Sequence, residues 1–467
     1  MEADLSSPSG ESYRQLSLWW DGLAGPIGVR EPLPGDLDVD VVVVGAGFTG
    51  LWTAYYLAEA DRSLRIAVVD RDVVGFGASG RNGGWCSALF AVSEERLDRT
   101  AGSGSGAAMR TAMEATVDEV GRVVDAEGID CDFSHGGTVV LARSGAQLQR
   151  ARDEVAAARL RGVTEESLRF LSAKEARGMI GASDILGGTF TPHCAAVNPA
   201  RLVRGLAEAT ERLGVTIYEQ TEATAIRAGA VETSRGTIKA TTVVRATEGY
   251  TRSLRGEERT LVPVYSLMIA TEPLPDAFWD SAGLRNRETF SDHRHLVIYG
   301  QRTADGRMAF GGRGAPYHYG SAIRPEFDQD PGVHRALRST LVDLFPDLAD
   351  ATITHRWGGP LGIARDWFTS VGLDRSTGMA WAGGYVGDGV STTNLAGRTL
   401  RDLVLGNDSD LAALPWVDHR SKRWEPEPLR YLGINAGLRL ASSADKAEGK
   451  AGRTTWHAKA LKRVIGD

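Results

Sequence analysis

Val39-Asp40-Val41-Val42-Val43-Val44-Gly45-Ala46-Gly47-Phe48-Thr49-Gly50 is the stretch on which the fold turns. A near-continuous β-branched run reads as a strand buried on both faces. The glycines that end it each have a separate task. Gly45 permits a tight turn, Gly47 lets a pyrophosphate approach the backbone, and Gly50 lets the following helix pack on the strand. That helix is written in Leu51, Ala54, Tyr55 and Leu57, and its N-terminus faces the phosphates. A second strand, Ile66 to Val69, ends in Asp70. An acid at that distance, about 20 residues on, accepts from ribose hydroxyls. The glycines alone are weak evidence. Strand, loop, helix, strand and acid in order specify a dinucleotide-binding unit.

Outward from this unit comes Arg71, then Gly75-Phe76-Gly77-Ala78-Ser79-Gly80-Arg81-Asn82-Gly83-Gly84-Trp85. So many glycines are costly in a helix, where a simple NAD-binding unit would continue into one. The run is expected as extended backbone laid against a flat ligand, with Ser79, Arg81 and Asn82 supplying hydrogen bonds. Further on, helices are expected over 104–127 and 148–161, and one opens at Asn198-Pro199, with Asn as N-cap and Pro at the first helical position. Strands are expected at 215–218 and 242–246. Residues 256–354 alternate like an antiparallel sheet. A last strand (379–382) and helix (about 392–405) follow.

The expected class is α/β (α+β): a Rossmann-like nucleotide domain of glutathione-reductase type, interleaved with an antiparallel β-sheet substrate domain. The nucleotide domain is expected from 38–127, 196–255 and 355–410, and the substrate domain from 128–195 and 256–354. Residues 1–37 read as an arm anchored by Leu16, Leu18, Trp19, Trp20 and Leu23, and 411–467 as a tail.

Composition narrows the function. The 467 residues carry a net charge of −7, so no global positive field collects nucleic acid. Cys86, Cys131 and Cys194 form no CxxC pair, which indicates neither a zinc site nor a dithiol centre and suits a reducing, cytoplasmic setting. The stretch from Met1 to Trp20 carries Glu2, Asp4 and Glu11 and lacks an apolar signal core. No apolar run approaches the roughly 20 residues of a membrane span.

The motifs Gly45–Gly50 with Asp70, Ala78-Ser79-Gly80-Arg81-Asn82-Gly83-Gly84, Ala246-Thr247-Glu248-Gly249-Tyr250-Thr251 and Gly383-Gly384-Tyr385-Val386-Gly387-Asp388-Gly389-Val390 carry a resemblance over about residues 38–405. The chain resembles the glycine/D-amino-acid oxidase superfamily of FAD-dependent oxidoreductases, nearest to the γ-glutamylputrescine oxidoreductases. The resemblance implies FAD between nucleotide domain and substrate sheet. It places Ser79, Arg81, Asn82, Gly83 and Gly84 near the flavin ring and ribityl arm. It places Gly387, Asp388, Gly389 and Val390 at the pyrimidine edge, with Arg71 and Thr247 among the cofactor contacts.

Three departures from that family are informative. No lysine lies between Lys239 and Lys422, so the oxygen-activating lysine of monomeric sarcosine oxidases is missing. No cysteine follows Cys194, so their cysteinyl–flavin linkage is impossible and FAD is expected to be non-covalent. In Trp357-Gly358-Gly359-Pro360-Leu361-Gly362, Leu361 stands where glycine oxidases place a carboxylate-binding arginine.

The function expected is oxidation of a C–N bond in a small amine or amino acid, by hydride transfer to flavin N5 and hydrolysis of the imine, with O₂ or another electron acceptor. Candidate substrate-side groups are Asp388, His318, Arg313 and Tyr317, with His293, His295, Tyr299 and Tyr319 nearby; no metal is implied. Asp388 is expected to hold a substrate cation or to cap the following turn. No second nucleotide motif or redox CxxxxC appears, so the substrate is expected to reduce the flavin. The alternatives are a flavin-dependent monooxygenase of a natural product and a non-catalytic FAD-binding redox protein. In the tail, Trp456, Ala460, Leu461, Val464 and Ile465 share one helical face opposite Lys459, Lys462 and Arg463.

Overall fold

The structure, a computed structural model, describes residues 10–312 and 314–451. Arg313 and the amphipathic segment of the tail lie outside the described residues.

The valine run forms the strand Leu37–Val44. It pairs in parallel with Thr237–Arg245 on one side, Val41 opposite Thr242, and with Ile66–Val69 on the other, Val41 opposite Ile66. Period-two alternation then feeds two cores at once: Val41 and Val43 pack into one cluster, Val42 and Val44 into another. The sheet runs Ser370–Asp374, Met379–Gly383, Thr237–Arg245, Leu37–Val44, Ile66–Val69, Thr216–Tyr218, with a meander of Ala223–Arg227 and Ala230–Thr233 beside it. Helices Phe48–Ala60 and Gly389–Leu405 cover one face. They approach closely at Gly397, where an added Cβ would stand 2.7 Å from Trp52 backbone.

A second eight-stranded sheet runs from Ile353–Ile363 through Val262–Thr271, Met308–Gly312, Ile298–Arg302, Thr289–Asp292, Thr138–Ala142 and Gly187–Thr191 to Arg169–Ser172. It is antiparallel except where Thr289–Asp292 runs parallel to Thr138–Ala142. Its edge strand Ile353–Ile363 crosses the expected boundary at 354/355, because ten of its residues pair with Val262–Thr271. Trp85–Ser87 and Cys194–Ala196 make a small ribbon that sequence reasoning did not foresee.

The arm docks as expected. Leu18, Trp19 and Trp20 are buried with Met268, Ala309 and Trp357, and Leu16 and Leu23 pack against them. Helix Pro199–Arg212 starts as read, Asn198 Oδ1 accepting from the Arg201 amide at 3.2 Å. The Gly75–Trp85 run is not extended: it folds into turns around one short 3₁₀ turn, Ala78–Gly80, closed by the Gly80 amide on the Gly75 carbonyl at 3.0 Å. Among the described residues no helix is long and apolar enough to cross a membrane.

Candidate functional site

An open cleft runs from the glycine loop to Pro360 and Leu361 on the edge strand of the second sheet. Its floor is built locally. Gly45 has φ +112°, and a Cβ there would sit 2.5 Å from the Ala246 carbonyl; at Gly50 a Cβ would sit 1.9 Å from the Gly45 carbonyl. Neither position accepts a side chain without moving backbone. Gly47 is the N-cap of helix Phe48–Ala60 and brings no capping side chain, so the helix N-terminus opens on the cleft with its dipole unmasked. Asp70 Oδ2 accepts from the Ala46 amide at 2.7 Å and Oδ1 from the Asp72 amide at 2.9 Å. Burial nevertheless raises its carboxyl to about 6, outweighing those two bonds. Ser79 Oγ accepts from the Phe48 amide at 2.8 Å, tying the second glycine loop onto the first.

Residues 221–223 line it beside Asp70, the Thr221 amide donating to the Asp70 carbonyl at 2.7 Å; Tyr250 lies under the Arg71 guanidinium, and Pro360, Leu361, Gly387 and Gly389 complete the lining. Tyr385 bonds Thr49 through its hydroxyl at 2.9 Å, and its amide donates to Glu248 Oε1 at 3.1 Å. Glu248 holds a left-handed φ of +42°, and a Cβ added at Gly362 would collide with its carboxylate. Burial pushes this acid up to about 7 against the backbone donors around it. Behind the cleft, Arg81 is buried. It donates to Asp328 Oδ2 at 2.8 Å and to the Tyr250 hydroxyl at 3.1 Å, and lies over the Phe76 ring. Burial raises the Asp328 carboxyl to about 6 despite that partner.

An elongated cleft with a glycine-loop helix N-terminus and a ribose-side acid at one end, and a second sheet at the other, suits a dinucleotide whose second ring meets a substrate domain. The family model for FAD dependent oxidoreductases matches residues 40–403. This chain belongs to that family. The probable oxidoreductase OrdL of Rhizobium meliloti (strain 1021) is 30% identical over 406 residues, covering 85% of this chain and 90% of the relative. The γ-glutamylputrescine oxidoreductase of Escherichia coli (strain K12) is 29% identical, covering 83% and 89%. Among solved structures, glycine oxidase from Geobacillus kaustophilus superposes with a TM-score of 0.66 at 23% identity, covering 82% of this chain and 99% of that one. The protein is an FAD-dependent oxidoreductase, and the cleft fits the cofactor: its glycine floor leaves no room for a Cβ, and a helix N-terminus opens on it.

The cleft gathers Gly45, Gly47, Asp70, Arg71, Ser79, Asn82, Thr247, Gly387, Gly389 and Val390 from the expected set. Gly50, Arg81, Gly83 and Gly84 are not among the lining residues, although Arg81 and Gly83 flank Asn82, which is. The substrate-side candidates fare differently. The Tyr317 hydroxyl is engaged by Ser321 at 2.8 Å and Glu427 at 2.9 Å, in a junction with the C-terminal helix Leu429–Ala451. His318 stacks on Phe327 with ring centroids 3.4 Å apart. Asp388 takes the N-cap position of helix Gly389–Leu405 without a side-chain capping bond, and it too stays off the lining. The helix begins at Gly389, earlier than expected. What sequence reading missed is Glu248, Tyr250, Tyr385 and the Arg81–Asp328 pair. The first three were quoted in motifs but given no role. Their signal was position, just past strand ends at the carboxyl edge of the parallel sheet, where ligands bind.

Proposed function

We propose that the protein oxidises the C–N bond of a small amine, in preference to an α-amino acid, with FAD held non-covalently. The observation that carries this is the far end of the cleft. Pro360 and Leu361 present apolar surface there, and the one arginine among the lining residues, Arg71, is engaged over the Tyr250 ring, 5.0 Å from its centroid. A carboxylate moved into that environment unpaired loses its hydration with nothing to replace it. An uncharged amine does not. The name of the Escherichia coli relative, γ-glutamylputrescine oxidoreductase, points to amine chemistry as well.

When bound, FAD supplies the two-electron acceptor. The chain's own residues bind and orient. The open amides at the start of helix Phe48–Ala60 take the pyrophosphate, with Thr247 and the Tyr385 hydroxyl beside them, Asp70 takes the ribose, and Pro360 and Leu361 line the ring end. Loss of two electrons and two protons from H–C–N–H leaves C=N; water adds to the carbon, the C–N bond breaks, and a carbonyl leaves with ammonia or a smaller amine. A substrate bound as the free amine needs no protein base for this. No cysteine or histidine lines the cleft among the described residues, which supports non-covalent attachment. The buried free thiols of Cys86, Cys131 and Cys194 support a reducing, cytoplasmic setting.

The test is anaerobic flavin bleaching in stopped flow with matched pairs, each amine beside its α-carboxylated counterpart, with γ-glutamylputrescine and putrescine in the panel. Faster bleaching by the amines is expected. Faster bleaching by the amino acids, or bleaching only by NADPH, overturns the reading.

A further inference from the structure

Five consecutive carbonyls of the second glycine loop each accept a hydrogen bond from a distant side chain. Ser17 Oγ reaches the Gly80 carbonyl at 3.3 Å, and the Trp357 indole reaches that of Arg81 at 2.8 Å. The Trp19 indole reaches that of Asn82 at 2.8 Å. Gln301 Nε2 reaches those of Gly83 and Gly84 at 2.6 and 3.0 Å. A trans peptide unit is planar, with its N–H opposed to its C=O. Anchoring the Arg81 and Asn82 carbonyls on two indoles therefore turns the Asn82 and Gly83 amides away from those indoles. Neither amide finds a protein acceptor among the described residues, although the amides of Gly80, Arg81 and Gly84 all do. Asn82 itself lines the cleft.

Two of the four donors, Ser17 and Trp19, come from the arm, which lies before the residues matched by the family model. We propose that the arm is part of the flavin site and that Trp19 is a positioning residue. Through the Asn82 carbonyl it holds the Asn82 and Gly83 amides as fixed donors toward bound flavin. Donors fixed in advance cost no reorganisation when negative charge develops on the ring. They therefore favour the reduced, electron-rich flavin over the oxidised one.

The neighbouring residue supplies the control. Trp20 is buried like Trp19, but its indole N–H has no partner. Trp19→Phe and Trp20→Phe therefore both remove buried ring volume, and only the first removes a bond to the loop. A third protein carries benzothienylalanine at position 19, which keeps the two-ring shape and lacks the N–H, so the test stands even where Trp19→Phe folds poorly.

The readouts are FAD dissociation constant, flavin midpoint potential and visible flavin spectrum of the holoproteins, with the melting temperature of the FAD-free forms alongside. Both position-19 proteins are expected to lose preference for reduced over oxidised flavin by about tenfold, a fall of about 30 mV for a two-electron couple. They should also show an altered visible band, the benzothienyl protein with a FAD-free melting temperature close to that of the wild type, while the Phe variants at 19 and 20 share the loss from removed ring volume. Trp20→Phe is expected to leave potential and spectrum at the wild-type values. An unchanged potential in the benzothienyl protein, or an equal shift in Trp20→Phe, overturns the proposal.

Discussion

The Gly45–Gly50 loop and the Gly75–Gly84 loop border the same cleft and are rich in the same residue, but different parts of the chain shape them. The first is shaped by its own sequence neighbourhood. Its turn is set by Gly45 at φ +112°, its close helix contact by Gly50 against the Gly45 carbonyl, and its acid, Asp70, by the end of the very next strand. The second has no such local logic. Its carbonyls are held from the arm, from the Ile298–Arg302 strand and from the Ile353–Ile363 strand, at separations of 63 to 276 residues. Glycine in the first loop makes room mainly for backbone, Gly50 for the Gly45 carbonyl and Gly45 for that of Ala246; in the second it makes room for a distant side chain, since a Cβ at Gly80 would meet the Trp20 indole nitrogen at 2.6 Å.

The comparison breaks most severely at Gly47. A Gly47→Val side chain would press on Ser79 Oγ, 2.9 Å from the built Cβ, and stand where the pyrophosphate approaches. Loss of FAD affinity by about a thousandfold or more is expected, roughly 4 kcal/mol, read by flavin fluorescence quenching on the FAD-free protein. A variant that binds FAD normally would show that the phosphate loop lies elsewhere.

An effect of similar size, on stability instead of cofactor affinity, is expected behind the second loop. Arg81 is 4% exposed and paired with Asp328. Asp328→Ala leaves that guanidinium buried with the Tyr250 hydroxyl and backbone as its partners, and a buried pair broken on one side costs about 3–5 kcal/mol. Urea denaturation measures it. A midpoint shift equivalent to under about 1 kcal/mol would mean that the pair behaves as a surface ion pair.

The smallest and most pH-dependent effect belongs to Glu248. Its carboxyl rises from 4.5 to about 7 on folding, so the folded chain holds a proton that the unfolded chain has released. Stability is therefore fully present below about 4.5 and is lost as pH rises toward 7. Glu248→Gln removes this slope. In the FAD-free protein the variant is expected to gain on the parent by up to about 3 kcal/mol between about pH 4.5 and 7.5. Parallel stability curves for the two proteins would contradict it.

These contrasts also explain what the sequence made legible. The Val39–Asp70 unit could be read because strand, turn, helix and acid are dictated by neighbours. The family, cofactor and arm anchors followed from similar local patterns. The Gly75–Trp85 run was read as extended because its glycines announce close approach without saying to what. The answer lies in Trp19, Gln301 and Trp357, which no local pattern connects. Tyr317 and His318 are candidates from sequence because they are polar or amphipathic groups near the centre of the antiparallel region. The chain carries them instead to the junction with helix Leu429–Ala451 and onto Phe327, a non-local outcome. Glu248 went unassigned because its carboxylate folds back onto the Tyr385 amide, a contact across 137 residues.

The order of strands in the first sheet has a consequence for biosynthesis. Leu37–Val44 leaves the ribosome early, but its parallel neighbour Thr237–Arg245 follows only in the second half of the chain, and Met379–Gly383, which pairs with that neighbour, later still. Non-local pairing of this kind is slow to form. The nascent chain therefore carries an unpaired valine edge through much of its synthesis, a template for aggregation. Cofactor capture must wait for nearly the whole polypeptide, because the Gly387–Val390 wall is translated after the last of these strands.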